Sequence, residues 1–388
     1  MDFKTAGESH GKGLIGIISD YPAGISVDIN FINNQLSRRQ KGYGRGGRMA
    51  IEKDTAEIIS GVRKGKSTGS PISFMIKNND WINWKNIMST VKKSDFTNGE
   101  KMLLDIRPGH SDLPGLLKYR LGTIRDVIER SSARETAARV CIGAFAKIVL
   151  NSIGITITSY VDRIGKLVLE NIPDIKNKKV LAKIETSEVR CPDAKISEKI
   201  IEIIANTIDN GDSIGGSFKV IAQGIPPGLG SYVDWDKRFD ARLSYVVMSI
   251  PAIKAVEIGN GISSGSRTGL DFHDAIFYKK EKGFYRKTNN AGGIEGGMTN
   301  GEDIIIGATM KPIPTTISGI KTVNIKTKKE STSLKERSDI CAVPSASIVG
   351  EAVIAIELVR AIQDKFGRDT IEEIKENLDN YNSYLKKV

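Results

Sequence analysis

Two stretches of this chain have no polar side. Residues 137–150 (AARVCIGAFAKIVL) and 348–362 (IVGEAVIAIELVRAI) are apolar at nearly every position around a helical wheel. A helix without a broad polar face belongs in the interior, and neither stretch has the run of ~18 apolar residues that a membrane span needs. Other elements must therefore cover both helices. Short β-branched runs bounded by Gly, Pro or Asp predict strands over 13–19, 58–62, 72–76, 155–161, 217–222, 255–258 and 304–308. Further helices are expected over 28–39, 132–151, 196–208, 235–249 and 346–366, with Ser132/Glu135 and Asp369/Glu372 reading as capping boxes. These strands do not alternate regularly with helices, which disfavours a doubly wound sheet. The expectation is an α+β sandwich with helices inside. No linker divides the chain, so a single domain over 1–388 is expected, with a tail from about 367 at its periphery.

The formal charge of +11 needs a cause. Nucleic acid is the default partner of a basic protein. Here, however, the arginines fall inside Gly-rich motifs, and aromatics are 6% with no interleaving among basic residues. That favours small polyanions and leaves a nucleic-acid-binding protein as the alternative. Cys141, Cys191 and Cys341 lack CxxC spacing, so no metal site is expected, and the reading is a reducing, cytoplasmic setting. The first residues, MDFKTAGESHGKG, lack the apolar core of a signal peptide.

GESHG at 7–11 matches G-x-S-x-G, the nucleophile elbow of serine hydrolases. An elbow needs a strand before the serine and a helix directly after it. Six residues before Gly7 are too few, and GLIGIISDYPAG reads as a strand running into a turn. The elbow therefore fails on context. The chain has three histidines, and two of them, His10 in GESHG and His110 in RPGHSD, stand in Gly-rich loops beside a serine and an acid. An imidazole titrates near pH ~6.5, so this setting suits general acid–base work. His273, between two aspartates, reads as structural or surface.

The densest basic stretch, SRRQKGYGRGGRMAIEKD, sets Arg38, Arg39, Lys41, Arg45 and Arg48 among four glycines. Glycine allows close backbone approach, and arginine offers a bidentate fork to phosphate or carboxylate. Each charge-assisted hydrogen bond contributes about 1.5–3 kcal/mol, so a few hold a small polyanion firmly. A second cluster, Arg130-Ser131-Ser132-Ala133-Arg134, leads into a helix whose N-terminus suits an anion. AGGIEGG at 291–297, KPIPT at 311–315 and RSD at 337–339 are weaker candidates.

GESHG, RRQKGYGRGGRM, RPGHSD, RSSARETAARV, SIPAIKAVEIG, AGGIEGGMTNGE, KPIPT and RSDICAVPSA occur in the order and spacing of the chorismate synthase family. The chain resembles that family from residue 7 to about residue 363, in its compact, monofunctional bacterial form. The resemblance implies an anti-1,4-elimination: 5-enolpyruvylshikimate 3-phosphate loses phosphate and a C6 proton to give chorismate. It implies reduced FMN, which lends an electron to phosphate departure and recovers it, with NADPH as an external reductant. It also implies a β-α-β sandwich of two mainly antiparallel sheets around central helices, a homotetramer, and neither a nucleic-acid partner nor a membrane. By resemblance, His10 protonates the departing phosphate, His110 serves the N1 side of the flavin, and Asp339 with Ser9 relays a proton near flavin N5. Arg130, Ser131, Ser132, Pro251, Ala252, Gly296, Lys311, Pro312, Ile313, Pro314, Thr315 and Arg337 match flavin-contacting positions. Arg39 and Arg45 match positions for nicotinamide nucleotide, and with Arg48 and Arg107 are read as holding the substrate's anionic groups. Two departures stand out: Gly47, where many relatives have a further basic residue, and residues 81–101, which fit no motif and read as a variable loop.

Overall fold

The computed structural model describes residues 1–46, 52–91, 103–170, 172–281, 283–333 and 339–388. The chain is a mixture of helices and antiparallel sheets. One sheet is built from β1 (Asp2–Ala6), β2 (Gly13–Ser19), β3 (Ala56–Ser60) and β4 (Ile72–Lys77), in the order β1-β2-β4-β3. The other contains β5 (Thr156–Ile164), β6 (Leu167–Val168), β7 (Gly216–Gln223), β8 (Ile253–Ile258) and β9 (Ile304–Met310), in the order β8-β9-β7-β5-β6. The helices that matter below are α1 (Ile29–Gln40), α2 (Asp112–Tyr119), α3 (Ile124–Ser131), α4 (Thr136–Ser152), α5 (Lys178–Thr186), α6 (Ala194–Asp209), α7 (Phe239–Met248), α8 (Val343–Phe366) and α9 (Ile371–Leu385).

The all-round apolar helices are buried as their composition demands. From Thr136 to Leu150 only Arg139 and Ile148 escape full burial in α4, and from Val343 to Gln363 only Arg360 does in α8. They pack on each other, α4 also meeting β1 and β2, and α8 meeting β5 and β7. The alternation of β2 explains its side of that contact, with Leu14, Gly16 and Ile18 turned inward and Ile15 and Ile17 outward. On β4, Phe74 stacks on Phe145 of α4, whose ring also takes the edge of Tyr21. Each large apolar side chain buried this way contributes about 1.5–3 kcal/mol.

Two buried charges, one from each helix, meet between them. Lys147 of α4 donates to Glu351 of α8, which also accepts from Arg38 of α1, at 2.7 Å, and from Arg190, at 3.3 Å. Ser159 of β5 donates to the same carboxylate at 2.6 Å. Burial alone would raise the Glu351 pKa, but the three surrounding cations hold it well below the usual carboxylate range.

Several local expectations are corrected. The strand expected over 58–62 spans Ala56–Ser60 and stops at Gly61, whose φ of +80° turns the chain. The helix expected over 235–249 breaks at Arg238, in extended conformation, where Phe239 N–H leaves to bond Gly297 O. The Ser132/Glu135 box does not close: Ser132 Oγ accepts from Arg134 N–H, and Glu135 turns to Arg139 one helical turn on. The other box forms one residue later, with Thr370 Oγ1 accepting from Glu373 N–H and Glu373 accepting from Asp369 N–H. In α9 one face, Ile371, Ile374 and Leu378, is buried in the main core. Among the described residues no helix is long and apolar enough to cross a membrane.

Candidate active site

GESHG is a turn between two strands. A short strand, β1, does precede it, but β2 follows where an elbow would require a helix. Gly7 has φ +105°, and a Cβ there would lie 2.3 Å from Gly13 O, so only glycine closes this turn. The turn is docked on the end of α3. Ser9 N–H donates to Glu129 O at 2.8 Å, and His10 N–H to Glu129 Oε2 at 2.7 Å.

Glu129 also receives the ring: His10 Nδ1 lies 2.9 Å from Glu129 Oε1, on which Arg125 Nη1 also donates at 3.3 Å. A carboxylate can only accept, so it assigns the proton to Nδ1 and leaves proton exchange to Nε2. Burial would raise the Glu129 pKa, but the His10 hydrogen bonds and Arg125 reverse the shift and keep it ionised. Helical spacing puts Arg125 and Glu129 together, because α3 buries Ile124, Arg125, Val127, Ile128 and Glu129 on one side.

His110 repeats the plan. Its Nδ1 lies 2.6 Å from Asp112 Oδ1, and Arg107 donates from Nε to Asp112 Oδ2 at 2.9 Å and from Nη2 to Oδ1 at 3.0 Å. Burial would raise the Asp112 pKa, but His110 and Arg107 hold it far below the usual range. Gly109, with φ +77°, makes the turn, and its carbonyl accepts from Lys311 Nζ, while Arg107 Nη1 reaches Thr315 Oγ1 at 3.5 Å. The segment 311–315 thus supports the His110 loop.

Arg39, Arg45, Arg134 and Asp339 line one cleft of about 220 Å³, together with Ser132 and Pro251. Ile250, Met310 and Val349 form apolar wall. Ser9 Oγ donates to Ser132 Oγ at 3.1 Å, which ties the His10 turn to the cleft's edge. Arg45 pairs with Asp339 at 3.1 Å, and Gly46 N–H donates to the same carboxylate at 2.7 Å. Arg39 is spread over three protein acceptors, Thr136 Oγ1, Ala133 O and Asp54 Oδ2. Burial lowers its pKa to about 10, opposed by Asp54, so it stays cationic at neutral pH. Arg134 gives Nη1 to Asp54 at 2.6 Å and Nε to Asn78 at 3.0 Å. Its Nη2 is buried with no hydrogen bond and has Glu52 4.0 Å away. Arg134 is thus held in the cleft wall by two carboxylates, Asp54 and Glu52, and places a cation there.

A sequence profile described as chorismate synthase matches residues 1–363. A chorismate synthase from Alkaliphilus metalliredigens is 50% identical over 384 residues, covering 98% of each chain, and one from Desulforamulus reducens is 46% identical over the full length of both. A crystal structure of a chorismate synthase superposes with a TM-score of 0.81 at 39% identity, covering 100% of this chain and 98% of the other. The chain belongs to the chorismate synthase family. With membership comes the family's reaction: a lyase acting on a phosphate ester converts 5-enolpyruvylshikimate 3-phosphate to chorismate, in the shikimate pathway of aromatic amino-acid biosynthesis.

The remaining family positions are spread over the molecule. Ser132 and Pro251 line the cleft, and Ala252 follows with φ +68°, a strained value for a residue with a side chain. Lys311 N–H donates to Ala252 O, and Ile313 O accepts from Ser213. Arg130 spends its guanidinium on Thr5 and Gly7 of the opening hairpin, and Ser131 Oγ turns back to Ile128 O. Gly296 is exposed in the ribbon Ile294–Glu295/Met298–Thr299, and Arg107 belongs to the His110 group; neither is among the residues lining the cleft. Arg48, Arg337 and Gly47 lie outside the described residues. His273 is exposed. Glu129, Arg125 and Asp54 were not picked out from sequence, whereas Arg134 belongs to the second basic cluster expected there. The signal for the first two was an Arg–Glu pair at i,i+4 just before RSSARET.

Proposed function

We propose that this cleft binds 5-enolpyruvylshikimate 3-phosphate beside reduced FMN, and that His10 Nε2 is the general acid for the departing phosphate. The observation that carries the proposal is the meeting of Arg45, Arg134 and Asp339 in one cleft with Ser132, to which the Ser9–His10 turn is bonded. The residues present fit both ligands. Arg45 and Arg134 in the cleft wall offer cations to an anion, and the wall of Ile250, Pro251, Met310 and Val349 suits a flat ring system. Bound reduced FMN supplies the electron that assists C–O cleavage and is recovered as hydrogen leaves C6.

The chain's own residues do the rest. Arg45 and Arg134, with Arg39 behind them, neutralise phosphate and carboxylates and set the substrate's orientation. His10 donates its Nε2 proton to the phosphate oxygen while Glu129 holds Nδ1. His110, held by Asp112, serves the flavin side, and Asp339 with Ser9 is the proton relay. Lys311 and Thr315 hold the His110 loop, and Pro251 and Ala252 shape the flavin wall. NADPH is an external reductant.

The layered contacts of α4 and α8 with the two sheets support a single-domain β-α-β sandwich. Ile15 and Ile17, 41% and 44% exposed on β2, support association of copies into the family's homotetramer. Arg38, Arg39, Arg134 and Arg190 turn into buried ion pairs, which supports a basic charge serving this fold and its substrate and not nucleic acid. Cys141, Cys191 and Cys341, free and buried, support a cytoplasmic setting.

The test is an anaerobic assay with 5-enolpyruvylshikimate 3-phosphate, FMN and dithionite, following chorismate absorbance and phosphate release. Product formed only with reduced flavin is expected. Product formed at the same rate with oxidised FMN would sink the cofactor assignment.

A further inference from the structure

The segment 81–91 was expected to be part of a variable loop, yet it supplies the His10 ring with a wall. The indole of Trp84 stacks on the imidazole of His10 with centroids 3.8 Å apart and planes 25° from parallel. Arg125 closes the circuit, its guanidinium carbon 5.1 Å from the Trp84 ring and its Nη1 on Glu129. Trp84 is itself anchored. Its Nε1 donates to Asp80 Oδ2 at 2.8 Å, Asn79 N–H donates to Glu52 at 3.0 Å, and Asn78 donates to the carbonyls of Glu8 and Gly11. The indole is therefore fastened to the same turn that carries His10.

We propose that Trp84 is a positioning residue for His10, stacking on the imidazole face so that the Glu129-held ring points Nε2 in one direction. The inference rests on His10 being the general acid. The backbone bond to Glu129 fixes the turn and the single ring bond fixes Nδ1, which leaves the ring plane free to swing about that bond, and a stacked indole removes that swing. The π face also favours the cationic ring, as any cation is favoured over tryptophan. Among the described residues, the charged groups beside His10 and the indole are Glu129 and Arg125 of α3, Asp80 on the Trp84 side and Glu8 on its own turn.

The contact can be read without turnover, because protonated imidazole quenches the fluorescence of an indole stacked on it. The chain has three tryptophans, Trp81, Trp84 and Trp235. In the full-length Trp81→Phe/Trp235→Phe protein, emission should fall as acid protonates the stacked ring, and His10→Gln should abolish that pH dependence. In the anaerobic assay, Trp84→Leu should lower kcat by about 10–10²-fold, the cost of a misplaced catalytic group, with KM for the substrate within about threefold. Trp84→Phe, which keeps an aromatic face, should recover most of the loss. A fluorescence titration unchanged by His10→Gln, or wild-type kcat in Trp84→Leu, would overturn the inference. Failure of the general-acid assignment shows separately, as His10→Gln keeping the wild-type kcat.

Discussion

Glu129 binds His10 twice, through the backbone N–H at 2.7 Å and through Nδ1 at 2.9 Å, across 119 residues of sequence. One carboxylate thus sets both the position and the tautomer of the ring. Glu129→Gln keeps the shape and removes the charge that favours imidazolium. The alkaline limb of the kcat/KM–pH profile should move to lower pH, and kcat should drop about tenfold or more. An unchanged profile would rule out this role.

His10→Ala and His110→Ala should each slow turnover by about 10²–10⁴-fold, the range for a general acid or base, with unchanged circular dichroism. Near-wild-type turnover in either variant would remove that residue from the mechanism.

Arg134→Lys keeps a cation beside Asp54 but loses the planar fork. Loss of a charge-assisted bond of about 1.5–3 kcal/mol raises KM for the substrate by about 10–100-fold. The protein should stay folded. Steady-state kinetics decide, and an unaltered KM would mean the cleft does not use this donor.

Glu351 makes stability depend on acid. Its folded pKa lies below the ordinary value of 4.5, so its contribution is present above pH 4.5 and is lost as pH falls below that value. Glu351→Gln leaves Arg38, Lys147 and Arg190 facing one another and should cost about 3–5 kcal/mol at neutral pH. Urea unfolding at pH 7 and at pH 4 measures both effects, and the variant should show the flatter dependence.

Gly143 sets the distance between α4 and α8. A Cβ there would sit 2.3 Å from Ala352 Cβ and 2.5 Å from its Cα. Helix propensity favours Gly→Ala by about 1 kcal/mol, but overpacking costs about 1–3 kcal/mol or more. Sterics win, so Gly143→Ala should lower Tm, and a rise in Tm would show that the helices can separate freely.

Much of the fold was legible locally. β2 spans Gly13–Ser19 as its alternation demands, α1 starts after Asp28, whose side chain accepts from Asn30 N–H, and α8 covers the apolar run. Some misses were local and some depended on a distant partner. Ser132 did not close its box because Glu135 N–H goes to Ser132 O in a tight turn and the Glu135 carboxylate pairs with Arg139. The helix near 235–249 broke because Phe239 N–H pairs with Gly297.

By itself the sequence determined which helices had to be buried and, through eight ordered motifs, the family and its two histidines. These are matters of composition and of contacts within a turn or two along the chain. Only the tertiary structure decided that Lys147 meets Glu351, that His10 leans on Glu129 and Trp84, and that Arg134 enters the cleft beside Arg45. Those pairings join groups far apart in sequence, and the choice of partner is made by which faces the packed helices and sheets bring together.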